Sequence, residues 1–76
     1  MFPKRAIVTN VSDGLGYRSN DEKYVGLAFN RVVEIVDKLD NGMLLTNFYM
    51  PQFKGIENDY CYHGFLIVSI GNIEYV

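Results

Sequence analysis

The sequence predicts an α+β fold: a small two-layer sandwich with one long amphipathic helix, over about residues 20–40, packed on a mostly antiparallel sheet of three or four strands. Three observations point there. Apolar residues between positions 19 and 42 recur at helical spacing, both ends of that stretch carry helix-end signals, and the remainder divides into short β-rich runs separated by turn residues. The 76 residues are read as one domain, 1–76.

The helix comes first because it fixes the architecture. At about 100° per residue, Tyr24, Val25, Ala28, Phe29, Val32, Ile35, Val36 and Leu39 share one face. Lys23, Asn30, Arg31, Glu34, Asp37 and Lys38 share the other. Ser19 and Glu22 have the spacing of a capping box, in which hydroxyl and carboxylate satisfy opposing backbone N–H groups. Asp21 and Glu22 suit the positive end of the helix, Lys38 the negative end, and Gly42 a left-handed cap. A second reading competes with it. Val32, Val33, Ile35 and Val36 are β-branched, and Asn41-Gly42 is a strong hairpin turn, so residues 31–49 also read as a β-hairpin within an all-β Src-homology-3-like barrel. The helix takes precedence because its pattern spans more residues and both its ends are marked.

The strands follow in order. Residues 4–11 are β-rich and end before Asp13-Gly14; residues 13–17 form a turn-rich loop. Residues 43–50 read as a strand that Pro51 stops, and residues 52–59 as a polar loop. Residues 60–70 give the strongest strand, Gly71-Asn72 turns the chain, and residues 73–76 add a short last strand. A right-handed crossover through the helix would join the first strand to a parallel neighbour if the two share an edge.

A chain of this size buries only about 60% of its unfolded surface, so it ordinarily needs a staple. A single cysteine, Cys61, excludes an internal disulfide, which leaves tight packing or a homodimer. The formal charge of −2 and the scattered Lys and Arg residues disfavour nucleic acid as a partner. No apolar run reaches the length of a membrane helix and none follows Met1 as an export signal would, so a cytoplasmic protein is expected.

Chemistry is sparse. Asp59, Cys61 and His63 alternate along one strand, but no second Cys or His completes a zinc set, and Cys61 with His63 lacks an oxyanion hole. A buried thiol and a surface imidazole are expected, with no catalysis, metal or cofactor. Gly14, Gly16, Arg18 and Ser19 precede the helix as a phosphate-binding turn would, giving an alternative function as a nucleotide or small-ligand module. The third glycine of that motif is missing, and Asp13, Asp21 and Glu22 would repel phosphate. Glu34, Asp37 and Asp40 suggest nucleic-acid mimicry, but Lys23, Arg31 and Lys38 on the same face cancel the field.

Aromatic residues give the leading functional reading. Strand residues alternate faces, so Asn47 and Tyr49 oppose Phe48, and Tyr60 and Tyr62 oppose Cys61 and His63. One set faces away from the core, and aromatic side chains are enriched at the centres of interfaces. Phe48, Tyr49, Phe53, Tyr60 and Tyr62 are therefore the expected protein-binding residues; core or dimer packing is the plainer use for them. Met43-Leu44-Leu45-Thr46, Pro51, Phe53-Lys54 and Leu66-Ile67-Val68 locally resemble the sheet region of phage-encoded uracil-DNA glycosylase inhibitors. That family's acidic DNA-mimicking segment has no counterpart here, so no functional residue is carried over. On the hairpin reading, Gly16-Tyr17-Arg18-Ser19 and Glu74-Tyr75-Val76 resemble bacterial Src-homology-3 domains, which implies cell-wall binding. Length, composition and the lack of a catalytic constellation together suggest a small virus- or mobile-element-encoded protein that binds and blocks a host factor.

Overall fold

Within the segment read as a helix, residues 32–38 form a strand. In the computed structural model, which describes residues 2–9 and 26–76, six strands form one sheet: β1 (Lys4–Val8), β2 (Val32–Lys38), β3 (Leu44–Tyr49), β4 (Cys61–Tyr62), β5 (Phe65–Val68) and β6 (Ile73–Tyr75). Their spatial order is β4-β5-β3-β2-β1-β6, with every pairing antiparallel. The helical pieces among the described residues are short 3-10 turns at Gly26–Ala28, Pro51–Phe53 and Ile70–Asn72. The α+β sandwich is thus corrected to an all-β fold, which fits the competing reading. The expected capping box at Ser19 and Glu22 lies outside the described residues.

The physical reason is visible along β2. Val33 and Ile35 are buried while Val32, Glu34 and Val36 are exposed, a period of two rather than 3.6. Apolar residues are dense enough here to satisfy both periods, and β-branching with a favourable turn decides between them. Of the supposed helix stripe, Phe29, Val32 and Val36 face solvent. The turn at 40–42 closes the hairpin: Gly42 N–H donates to Leu39 O at 2.9 Å, Leu39 N–H to Met43 O at 2.8 Å, and Asn41 Oδ1 accepts from Met43 N–H at 2.9 Å. Gly42 has φ +85°, a conformation glycine adopts without steric cost.

The expected strand over 60–70 is broken in two. His63 (φ 50°) and Gly64 (φ 89°) make a two-residue turn with both φ positive, the geometry that suits a tight hairpin, between β4 and β5. A Cβ at position 64 would lie 2.8 Å from Tyr49 Cε1, so glycine is also required by close approach.

All six strands contribute to one core, including Ala6, Val8, Ile35, Leu44, Leu66 and Val68. Thr46 is buried among them, its hydroxyl donating to Leu66 O at 2.8 Å and accepting from Phe48 N–H at 3.2 Å. These bonds fall where the β3–β5 register shifts between Leu45 and Tyr49 and the ladder is interrupted.

Candidate functional site

Sheet alternation divides β3 and β5 between two environments. Leu44, Thr46, Leu66 and Val68 point into the core, whereas Leu45, Asn47, Tyr49 and Phe65 point outward. Antiparallel pairing sets Tyr49 and Tyr62 on either side of Phe65, so three aromatic rings share the outer face. Tyr49 and Phe65 pack with ring centroids 5.0 Å apart, yet remain 43% and 37% exposed; Tyr62 is 39% exposed.

A β-bulge shapes the adjoining surface. Ile35 opposes Thr46, and the next paired residues are Asp37 and Leu45, so Val36 is the extra residue of β2. Val36 and Asp37 consequently both flank Leu45. Val36, Leu45, Tyr62 and Phe65 wall an apolar hollow of ≈ 360 Å³, with Asn47 and His63 at its margin. Asp37 lines a second hollow of ≈ 470 Å³ with Lys38, Asp40 and Glu57. Leu45 and Tyr62 belong to both hollows.

Two polar arrangements hold the rim. His63 Nε2 lies 3.2 Å from Glu57 Oε2, tying the β4–β5 turn to the preceding loop, and the imidazole packs edge-on against Tyr62 with centroids 4.5 Å apart. Asn58 Oδ1 accepts from the N–H groups of Tyr60 and Cys61, each at 3.0 Å, and from the Cys61 thiol at 3.3 Å. The thiol also donates to Ile56 O at 3.5 Å. Burial pushes the Cys61 thiol up from its ordinary 9.0, which keeps it protonated and a poor nucleophile.

The structure separates the residues the sequence grouped together. Tyr49 and Tyr62 lie on the outer face, while Phe48, Phe53 and Tyr60 pack against the core, the last two edge-to-face at 5.3 Å. Gly14, Gly16, Arg18 and Ser19 lie outside the described residues. Asp59, Cys61 and His63 do not converge: the thiol turns inward to Asn58 and the imidazole pairs with Glu57. No group of three His, Cys, Asp or Glu residues suited to a metal occurs among the described residues. No helix among them is long and apolar enough to cross a membrane.

Sequence reasoning missed Phe65, Leu45 and Val36. Phe65 sits in the run 65–68, where every residue is apolar and hydropathy alone does not tell the two faces apart. The signal was the turn: once His63-Gly64 is a hairpin, Phe65 pairs with Tyr62 and both must face outward. Comparison with known proteins finds no matching family, no similar curated protein and no similar solved structure.

Proposed function

We propose that this is a small non-enzymatic cytoplasmic protein, of viral or mobile-element type, that binds and thereby inhibits a partner protein through Tyr49, Tyr62 and Phe65 on the outer sheet face. One observation carries the reading: three half-exposed aromatic rings share one sheet face, two of them walling an apolar hollow. Contiguous exposed apolar surface rimmed by polar groups marks binding sites, and aromatic anchors dominate their energetics. Phe48, Phe53 and Tyr60 pack against the core rather than joining the exposed rings. A cytoplasmic setting keeps the lone Cys61 thiol reduced.

The test is affinity capture from the native host cell with the wild-type chain and with a Tyr62→Thr, Phe65→Thr variant as baits. Threonine preserves strand propensity. The wild type is expected to retain a specific protein that the variant loses while keeping the same circular dichroism. Identical captures by both baits would refute the reading.

A further inference from the structure

Building on that binding reading, we infer that the outer face takes an extended peptide segment of its partner, one that carries Lys or Arg a few residues from an apolar anchor. The β2 bulge is the structural cause. By bringing both Val36 and Asp37 to flank Leu45, it sets an apolar hollow and an acidic one end to end, with Leu45 and Tyr62 as their common wall. The apolar hollow, ≈ 360 Å³, has room for one large aliphatic or aromatic side chain.

The second hollow is lined by the carboxylates of Asp37, Asp40 and Glu57 against the single ammonium of Lys38, a formal charge of −2. Glu57 is engaged by His63 at 3.2 Å. Asp37 Oδ1 accepts the Lys38 backbone N–H at 2.8 Å, which orients the carboxylate without neutralising it. Set against Lys38, Asp37 and Asp40 alone leave a formal charge of −1, and a basic side chain complements it. The same charge repels phosphate, which turns the face away from nucleic acid and anionic lipid. Because the hollows adjoin and an extended chain advances about 3.3 Å per residue, anchor and cation stand roughly two to four residues apart.

The experiment is selection of a displayed library of random short peptides on the immobilised full chain, followed by anisotropy titration of the selected peptides at low and high salt. Selected sequences are expected to pair an aliphatic or aromatic residue with Lys or Arg at that spacing. Their affinity is expected to fall about three- to tenfold on Asp37→Asn, Asp40→Asn substitution and in high salt, since two exposed ion pairs contribute modestly and are screened. Both positions are exposed, and an unchanged melting temperature checks that the variant is folded. Peptides that lose affinity with Tyr62→Thr, Phe65→Thr but show no basic enrichment would overturn the peptide class while leaving the binding face standing. Basic peptides that bind the Asn variant equally well would overturn the acidic hollow as their site. An absence of any selected peptide would overturn the inference, and so would light scattering that shows a dimer dispersed by the Thr substitutions, which gives the face to a second copy.

Discussion

The two halves of the outer sheet face differ in chemistry although they belong to one sheet. Around β1, β2 and β6 the outward positions mix charge with apolar side chains: Arg5 lies across from Glu34, and Ile7 lies between Glu74 and the exposed Val32. Lys4 and Tyr75 pair with the buried Ile35 and Ala6 and so belong to the core side of the sheet, where Lys4 Nζ sits 4.5 Å from the Tyr75 ring centroid. Around β3, β4 and β5 the outward positions are Leu45, Asn47, Tyr49, Tyr62, Phe65 and the buried Ile67, and Asn47 Oδ1 accepts the Glu34 N–H of β2 at 2.9 Å. Beneath both halves the core is one continuous cluster. The two halves thus differ chiefly in the aromatic rings that β3, β4 and β5 expose.

Breaking the core should harm both halves equally. Leu66→Ala removes a fully buried side chain and is expected to cost about 2–5 kcal/mol, seen as a lower urea midpoint with unchanged slope. That is a large part of the stability of a domain this small. A midpoint within error of wild type would mean that β5 is not the centre of the core.

Gly64→Ala sharpens the contrast by disturbing the aromatic half alone. It forces alanine into φ +89° with its Cβ against Tyr49, and is expected to cost about 1–3 kcal/mol. The ring resonances of Tyr49 and Phe65 should shift while amides of β1 and β6 stay in place. Shifts spread evenly over the sheet would show that the halves are not mechanically distinct.

The smallest expected effect concerns Cys61. Its pKa is raised in the folded state, so its contribution to stability is full below about pH 9 and is lost as pH rises toward the folded value, because the unfolded chain releases the proton first. The stability gap between wild type and Cys61→Ala should therefore narrow in urea titrations above pH 9. A gap that widens there would contradict the burial-driven shift.

Much of the strand layout was legible in the sequence, because Lys4–Val8, Leu44–Tyr49 and Ile73–Tyr75 are short β-rich runs bounded by turn residues or Pro51. The helix was misread because Val32, Val33, Ile35 and Val36 satisfy both periodicities at once, so the tertiary pairing with β1 and β3 had to decide. The Asn41-Gly42 turn already favoured the strand. The site was legible only in part: Tyr49 and Tyr62 follow from alternation, but the roles of Val36 and Asp37 come from a bulge that no residue type announces.

The most direct test of the division between the two halves is amide chemical-shift mapping of the isotope-labelled protein against its captured partner or a selected peptide. Perturbations should cluster at Leu45, Tyr49, Tyr62, Phe65 and the 37–41 turn, leaving β1 and β6 unmoved. Perturbations confined to β1 and β6 would contradict the account.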